Sequence, residues 1–427
     1  MRILHTSDWH IGRTLYGRKR HEEFGAFLGW LLDTVARLEV DVLLVAGDVF
    51  DTSTPDNRAQ ALYYDFLRHV ADRGCRHVVV IAGNHDSPTF LEAPKALLEA
   101  LDIHVVGNAS THPENEVLVL KDRQGRPELI VCAVPYLRDR DIRTAAAGES
   151  MADKEAKLLA GIREHYAAVA TRAEQTRAAL GVRVPIVAMG HLFTAGGQTV
   201  DGDGVRELYV GSLAHVSAAV FPASFDYVAL GHLHVPQTVG GLETRRYSGS
   251  PLPMGFSEAR QQKIVCLVDI APTPTAGPIH AAADAPGDAH LAIGVHEVDI
   301  PVFQPLERIQ GDWDDIARRI EALSTARTSV WLEIVYQGPD LIGDLQDRLQ
   351  ALLAGTHLDV LRIRNHCLTP QGLEAQQAEE TLAELDPHEV FERCLRAHDI
   401  PATQWPELTL AYQDILTSID EEDVRAE

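Results

Sequence analysis

RILHTSDWH, residues 2–10, joins a short aliphatic run to Asp8 and His10, two side chains of the kinds that bind metal ions. The same arrangement recurs through the first 270 residues, where apolar runs end in a glycine or a polar pair and helical patterns follow. Continuous apolar runs are typical of strands buried on both faces, and alternation with helices indicates βα units. The sequence therefore predicts an α/β domain. Its predicted strands are residues 2–6, 41–46, 77–82, 185–189 and 227–230.

Composition limits the classes of protein to which the chain can belong. Its 427 residues favour two or three domains. A formal net charge of -24 excludes indiscriminate coating of DNA, because sequence-independent binding depends on cationic side chains that replace counterions. Five scattered cysteines without a C-x-x-C pair predict neither a disulfide framework nor a thiolate zinc site. The apolar runs are too short to span a bilayer and the first candidate ligand is residue 8, so we expect a cytoplasmic protein without a signal peptide or membrane contact.

The pattern of βα units ends near residue 270. Residues 271–290 carry four prolines among alanines, which is typical of a flexible linker. A small α+β unit is predicted over residues 291–368, as a cap on the first domain. Its predicted strands are residues 295–309, 330–336 and 358–364, and its predicted helices are residues 313–323 and 341–353.

Residues 380–427 are predicted to form a helical extension. Asp386, Pro387 and Glu389 stand in the order of a capping box, so a helix should begin there. Apolar residues at helical spacing give this helix and a second one a hydrophobic face. Two short amphipathic helices either dock on a partner or pack back on the small domain. The candidate partner contacts are Val390, Phe391, Leu395, Leu408, Tyr412 and Ile415.

Five clusters of ligand-type residues directly follow the five predicted strands of the first domain. They read Asp8-Trp9-His10, Gly47-Asp48, Gly83-Asn84-His85-Asp86, Gly190-His191 and Gly231-His232-Leu233-His234. In open α/β sheets, ligands bind at the carboxyl ends of strands, so the five clusters should converge. Residues two apart on an extended segment point the same way, so the first and last clusters each supply a pair of ligands. Glycine before four of the clusters fits backbone that turns tightly beside a crowded site.

The predicted ligands are oxygen and imidazole groups without a thiolate, which suits Mn, Fe or Zn. Seven side chains are enough for two ions about 3.5 to 4 Å apart that share one carboxylate and clamp a reacting phosphate. Asp48 is the candidate bridge, because it is a lone aspartate at the end of the second strand. The candidate ligands are Asp8, His10, Asp48, Asn84, His191, His232 and His234.

The order D-x-H, G-D, G-N-H-D, G-H and G-H-x-H resembles the calcineurin-like metallophosphoesterase superfamily. The resemblance implies a sandwich of β-sheets flanked by helices. It implies two ligand sets, Asp8, His10, Asp48 and His234 for one metal ion, and Asp48, Asn84, His191 and His232 for the other. It also makes His85 the catalytic histidine that assists the leaving group, with Asp86 orienting it. An imidazole that titrates near neutral pH beside a carboxylate is compatible with that role.

The sequence between the motifs is similar to SbcD-type bacterial nucleases over essentially the whole chain. The similar stretches are residues 7–13 with 15–17, Gly47-Asp48-Val49-Phe50-Asp51, and Tyr247-Ser248-Gly249-Ser250-Pro251. This resemblance implies a manganese-dependent exonuclease on duplex ends and endonuclease on hairpins and single strands, acting in DNA repair, recombination and replication. It also implies an SbcC-type ATPase partner and a homodimer within a heterotetramer. The chain has no Walker A motif, so any ATP dependence must come from such a partner, which by resemblance binds residues 380–427.

The densest basic cluster lies beside the first motif and is a candidate contact for the DNA backbone. Its residues are Arg13, Arg18, Lys19 and Arg20, and the alternative is an ordinary solvated loop. Two other functions remain open on the sequence. A small-molecule phosphodiesterase or phosphatase could use the same metal core, because fold and metals do not fix the substrate. The other is a DNA-end tethering scaffold whose metal site is incidental.

Overall fold

A computed structural model describes residues 1–143, 149–194, 218–272, 291–325, 328–338, 342–365, 391–392, 394–396, 405–406 and 408–413. The strands are β1 (Arg2–Thr6), β2 (Thr14–Leu15), β3 (Arg18–Lys19), β4 (Val42–Ala46), β5 (His77–Ile81), β6 (Ile103–Val106), β7 (Val117–Lys121), β8 (Pro127–Ala133), β9 (Ile186–His191), β10 (Tyr227–Gly231), β11 (Gln237–Val239), β12 (Leu242–Tyr247), β13 (Ile264–Pro272), β14 (Leu291–Asp299), β15 (Leu306–Gly311), β16 (Val330–Tyr336) and β17 (Leu358–Asn365). The helices are α1 (His21–Arg37), α2 (Asn57–Val70), α3 (Pro88–Glu92), α4 (Lys95–Glu99), α5 (Asp139–Ile142), α6 (Met151–Leu180), α7 (Trp313–Ser324) and α8 (Leu345–Leu353).

Two six-stranded sheets form the first domain. The first has the order β14-β13-β1-β4-β5-β6 and the second the order β11-β12-β10-β9-β8-β7. β1, β4, β5 and β6 run parallel, as do β8, β9 and β10. The five strands predicted from the sequence all lie within these parallel parts, with ends that differ by at most two residues.

Helices cover the outer faces of the two sheets, and an apolar layer joins their inner faces. The inner layer draws on both sheets, for example on Leu44 of β4 and Val187 of β9. Phe27 of α1 and Phe66 of α2 pack on the outside of the first sheet, and Tyr166 of α6 packs on the outside of the second. The predicted sandwich of sheets flanked by helices is therefore confirmed.

Side chains at the helix starts explain where several helices begin. The Asp56 carboxylate accepts hydrogen bonds from the backbone N–H groups of Arg58 and Ala59 at the start of α2. The Asp312 carboxylate accepts from the N–H of Asp315 at the start of α7. Such caps satisfy donors that have no partner within the helix itself.

The strand predicted over residues 295–309 is wrong, because that range contains parts of two strands in different sheets. β14 pairs with β13 in the first sheet, and β15 pairs with β16 in the cap. Pro301 and Pro305 lie between them. Proline has no N–H to donate to a sheet, so it ends the pairing of one strand before the next can begin. The helix predicted from residue 341 begins at Leu345.

The cap is a three-stranded parallel sheet, β15-β16-β17, with α7 and α8 packed on it. It contacts the first domain near the hairpin β2–β3, which follows the first ligand motif. Leu15 and Phe256 of the first domain form one apolar cluster with Leu306 and Trp331 of the cap. These contacts hold the cap beside the carboxyl end of β1.

The predicted linker lies outside the described residues, except for its first two, which end β13. The helices of the described residues include none that is long and apolar enough to cross a membrane.

The predicted extension is described only in part, and Val390 and Ile415 lie outside the described residues. Within the described part, the rings of Phe391 and Tyr412 stack at a centroid distance of 4.1 Å. Leu395 is buried and Leu408 is exposed. An apolar side chain therefore remains at the surface of this part of the extension.

Candidate metal centre

The carboxyl ends of β1, β4 and β5 in the first sheet meet those of β9 and β10 in the second. The His191 Nδ1 atom lies 2.9 Å from the carbonyl oxygen of Ala46, and the Asp8 carboxylate accepts a hydrogen bond of 2.8 Å from the His232 N–H. All seven predicted ligands come together there. Six of them are buried, and Asn84 is half-buried.

Six of these side chains form two groups of three, and within each group the ligand atoms all lie within 4.8 Å of one another. The groups are Asp8, His10 and His234, and Asp48, His191 and His232. Asn84 joins the second group, because its Oδ1 atom lies 3.0 Å from both His191 Nε2 and His232 Nδ1. In the first group, the Nε2 atoms of His10 and His234 are 3.2 Å apart.

Asp48 contacts both groups with a single oxygen atom. Its Oδ2 lies 3.5 Å from His10 Nε2 and 3.3 Å from His191 Nε2. Its other oxygen, Oδ1, accepts a hydrogen bond of 2.9 Å from the backbone N–H of His85. A carboxylate in this position can bind two cations at once, which is the role that a bridging ligand has in two-metal sites.

Four of the ligands have a backbone conformation that L-amino acids rarely adopt. The φ angles are +52° at Asp8, +47° at His10, +50° at Asp48 and +99° at His232. Non-glycine residues in this region are strained and occur often at functional sites, where the surrounding structure holds them. The strain turns the side chains into the centre directly after each strand ends.

Glycines allow the ligand segments to approach one another closely. A Cβ atom on Gly83 would lie 2.1 Å from Asp48 Oδ1, and one on Gly47 would lie 2.3 Å from His191 Nδ1. At Gly231, a Cβ atom would lie 1.9 Å from the Ala46 carbonyl oxygen. These distances leave no room for any side chain, so packing requires the glycines that precede the ligands.

Burial and charge shift the pKa values of the ligands in opposite directions. Burial raises the pKa of Asp8 to about 6. Burial also acts to raise the pKa of Asp48, but nearby histidines, His191 first, hold that pKa well below its usual range. Burial acts to lower the pKa of His191, but Asp48 outweighs it and raises this pKa to about 9. The carboxylates therefore favour a proton on a neighbouring histidine. Divalent cations can displace such protons and supply the positive charge in their place.

Groups around the centre fix the orientation of its ligands. Ser7 Oγ donates a hydrogen bond of 2.5 Å to Asp8, and an Asp51 carboxylate oxygen lies 3.2 Å from His10 Nδ1. Metal-binding histidines usually have their second nitrogen on a carboxylate or carbonyl in this way. Asn84 Nδ2 is buried without a hydrogen-bond partner among the described residues. The donor set and its supports thus fit divalent cations.

His85 lies beside the two groups, and its ring centroid is 4.8 Å from that of His10. Its Nδ1 atom is 2.8 Å from the backbone carbonyl oxygen of Asp51. The carbonyl therefore orients the imidazole at the edge of the centre.

Asp86, which the sequence predicts to orient His85, has a different set of contacts. Its carboxylate accepts hydrogen bonds from three backbone N–H groups, those of Val49, Phe50 and Gly83. These donors belong to the loops that follow β4 and β5. Asp86 therefore holds the two ligand loops together, and its effect on His85 is indirect.

The fold divides the predicted basic cluster. Arg20 is buried, and the Nε and Nη2 atoms of its guanidinium group donate hydrogen bonds of 2.7 and 2.9 Å to the Glu23 carboxylate. The prediction that Arg20 contacts DNA is therefore wrong, because its charge is used inside the domain.

The other three members of the cluster lie nearer the surface. Arg13 lies 3.3 Å from Asp51, at the edge of the metal centre. Arg18 and Lys19 are exposed on the hairpin β2–β3. Of these three cations, Arg13 contacts a residue of the centre, whereas Arg18 forms an ion pair with Asp359 of the cap.

Asp51 also supports the centre, although no motif in the sequence predicts this role. It lies three residues beyond Asp48, so the signal that could have identified it is its closeness in sequence to a predicted ligand. Its carboxylate contacts His10 and its carbonyl contacts His85, so one residue positions two imidazoles.

Lys263 is a second residue that supports the centre without being predicted from the sequence. It is buried and donates hydrogen bonds to the His234 carbonyl oxygen at 3.2 Å and to Ser250 Oγ at 3.0 Å. It also pairs with the buried Glu258. The sequence around Lys263 carries no sign of these contacts, which depend on tertiary packing.

Comparison with known families agrees with this geometry. The family model described as calcineurin-like phosphoesterase matches residues 1–236, and the model described as type 5 capsule protein repressor C-terminal domain matches residues 302–399. The first match covers more than half of the chain and includes every candidate ligand. The chain is therefore a calcineurin-like metallophosphoesterase, a class of enzymes that bind divalent metal ions.

Its relatives define the family more narrowly. The SbcD component of the nuclease SbcCD from Escherichia coli (strain K12) is 38% identical over 95% of each chain. The proteins of the same name from Rhodobacter capsulatus and Bacillus subtilis are 40% and 39% identical, each over 64% of this chain and 67% of the relative. The chain belongs to the SbcD family of nucleases.

Proposed function

We propose that the chain hydrolyses phosphodiester bonds in DNA with two divalent ions, most suitably Mn²⁺, as the nuclease component of a complex with an SbcC-type ATPase. The proposed activities are exonuclease action on duplex ends and endonuclease action on hairpins and single strands. The observation that carries this proposal is the position of Asp48 Oδ2 between His10 and His191. When bound, such ions polarise a phosphoryl oxygen and supply a hydroxide nucleophile at neutral pH.

Asp48 serves as the shared ligand in this proposal. Asp8, His10 and His234 complete one set of ligands, and Asn84, His191 and His232 complete the other. The strained backbone and the close-packed glycines keep the two sets at a fixed separation. A fixed separation favours in-line displacement, because the attacking and leaving oxygens are held in one geometry.

His85 is the proposed proton donor to the leaving oxygen. The Asp51 carbonyl can only accept, so His85 Nδ1 donates to it and Nε2 is the nitrogen that exchanges a proton with substrate. Asp86 assists indirectly, because it ties the loop of His85 to the loop of Asp48. This assigns His85 to catalysis and Asp86 to positioning.

The proposed path of the DNA backbone runs over the hairpin β2–β3 and the neighbouring face of the cap. Arg18 and Lys19 are exposed on the hairpin, and the guanidinium group of Arg362, on the cap, lies 4.8 Å from the centre of the Tyr16 ring. Cationic side chains suit phosphates, and here they are spread over two parts of the molecule. This spread favours a polymer with many phosphates over a small phosphoester.

Residues 380–427 are the proposed contact with the ATPase. Phe391 and Tyr412 stack on each other, while Leu408 is exposed. The described part of the extension thus keeps an apolar side chain free to pack against another protein, which supports docking.

We also propose that two copies of the chain form a homodimer within a heterotetramer, and that they contact each other through α2. Phe66 and Leu67 of this helix belong to the core of the first domain. Ala61 is exposed and Leu62 is half-buried, so these two side chains are the ones that a second copy could reach.

The test is cleavage of a blunt, end-labelled DNA duplex by the purified chain in Mn²⁺, with and without the ATPase and ATP. We expect degradation that the ATPase and ATP strengthen. Rapid hydrolysis of small phosphodiesters without cleavage of DNA would instead establish the small-molecule alternative. A His85→Leu variant that keeps full biological activity while binding DNA and partner normally would establish the tethering scaffold.

A further inference from the structure

A second group of metal-ligand side chains lies at the opposite end of the first sheet. His77 begins β5, Asp102 directly precedes β6, and His104 is the second residue of β6. β5 and β6 are parallel, with Val79 opposite His104. Residues two apart on a strand share a face, so this register brings His77 and His104 to one side of the sheet. The ligand atoms of the three side chains all lie within 4.8 Å of one another.

The segment Asp102-Ile103-His104 has the same D-x-H spacing as Asp8-Trp9-His10 at the main centre. The similarity extends to the backbone, because φ is +57° at Asp102 and +52° at Asp8. A non-glycine residue rarely adopts this conformation, and here it places a carboxylate near a histidine two residues later.

His77 provides the independent sign of a ligand. Its Nε2 atom lies 2.8 Å from the backbone carbonyl oxygen of Lys121, which can only accept, so Nε2 carries the hydrogen. A neutral ring then has a lone pair on Nδ1. That atom is buried without a hydrogen-bond partner among the described residues, and it lies 3.7 Å from Asp102 Oδ1.

Two acceptors that face each other at this distance are stable when a cation lies between them. A histidine that donates one nitrogen to a backbone carbonyl and keeps the other for a metal ion is the usual arrangement in metal sites. The Asp102 side chain is 67% exposed, which gives an ion access from solvent.

We propose that His77, Asp102 and His104 bind one Zn²⁺ ion. Two imidazole nitrogens and one carboxylate oxygen suit zinc, with water in the fourth position. The ion would join the start of β5 to the start of β6, and through His77 it would also join the first sheet to Lys121 at the end of β7. Its effect is on stability, because the length of β5 separates His77 from the main centre, roughly 13 Å for the four steps from His77 to Ile81.

The first test counts cobalt, a spectroscopic substitute for zinc, in the full-length Asp48→Asn chain, in which the main centre is impaired. We expect that adding His104→Ala or Asp102→Asn removes one equivalent of Co²⁺ together with its visible ligand-field absorption. Adding His112→Ala should remove none. His112 also lies 3.7 Å from a carboxylate, that of Glu114, but has no third ligand among the described residues. Equal cobalt content and absorption in the His104→Ala and His112→Ala chains would overturn the proposal.

A second test keeps the main centre intact. In saturating Mn²⁺, added Zn²⁺ should raise the Tm of the wild-type chain and of His112→Ala, because an ion that binds only the folded state stabilises it. The Tm of His104→Ala and of Asp102→Asn should rise less, because only exchange of zinc into the main centre remains. If all four proteins respond alike, zinc acts elsewhere and the site does not exist. Nuclease activity is not the readout, so this proposal stands or fails separately from the proposed function.

Discussion

The metal centre and the contact between hairpin and cap are held together in different ways. At the centre, buried ligands sit on strained backbone, and glycines let the strand ends approach closely. At the hairpin, Arg18 and Asp359 form an ion pair of 2.7 Å whose side chains are 44% and 50% exposed. Exposed ion pairs contribute little to stability, whereas a misplaced group in a buried polar site is costly. The difference indicates that the centre is rigid and that the exposed side of the hairpin–cap contact can be adjusted, while Leu15 and Trp331 keep the apolar side of that contact buried.

The largest effect is expected at the residue that both halves of the centre share. Asp48→Ala should remove bound metal from both sets and lower Mn²⁺-dependent cleavage by about a thousandfold or more, because metal ions contribute several kcal/mol to such reactions. Metal content and kcat would be measured on the same sample, with circular dichroism as the control for folding. Normal cleavage by Asp48→Ala would refute the role of Asp48 as a bridge.

Rigidity of the centre can be tested without touching a ligand. Gly83→Ala places a Cβ atom only 2.1 Å from Asp48 Oδ1, so Asp48 must shift. We expect kcat to fall by about a hundredfold, a loss that a displacement near 1 Å can cause. Gly29→Ala, on helix α1, is the matched control, since among the described residues no other element lies within 4 Å of its Cβ position. Equal activity of the two variants would mean that the centre adapts.

Substitutions of Lys263 test whether a side chain far from the ligands in sequence supports the set of ligands that contains His234. Lys263→Met should raise the Mn²⁺ concentration for half-maximal activity and destabilise the fold by about 3–5 kcal/mol, because Glu258 is left buried and unpaired. Lys263→Arg should restore part of both losses. Arg20→Met breaks another buried pair, away from the ligands, so it should lower stability and leave the Mn²⁺ requirement unchanged. The same Mn²⁺ requirement in all three variants would make Lys263 purely structural.

The smallest effect is expected at the hairpin. Arg18→Ala should change the free energy of unfolding by less than about 1 kcal/mol. It should also weaken DNA binding and reduce by about one the slope of log affinity against log salt, because one phosphate contact is lost. Arg68→Ala is the control, since Arg68 forms a similar exposed pair with Asp65. An unchanged salt slope for Arg18→Ala would remove the hairpin from the DNA path.

The ligands of the centre can be predicted from local sequence. The residues that hold those ligands in place cannot, because their contacts join parts of the chain that are far apart in sequence. The ligands are predictable because each follows a continuous apolar run, and parallel strands bring such ends together. The burial of Arg20 is not predictable, because it depends in part on the Pro253 carbonyl, 233 residues further along the chain. Lys263 gives no signal for the same reason. The boundary between the first domain and the cap, near Pro301, is not predictable from the sequence. The reason is that β14 belongs to the first sheet although it follows the predicted linker.

The bridge formed by Asp48 is tested most directly by the electron paramagnetic resonance spectrum of the chain with two equivalents of Mn²⁺. If Asp48 bridges the ions, their spins are coupled through its carboxylate, and the spectrum should be that of an exchange-coupled pair, which Asp48→Ala should lose. A wild-type spectrum of two isolated ions, unchanged in Asp48→Ala, would contradict the shared-ligand centre on which the proposed nuclease activity rests.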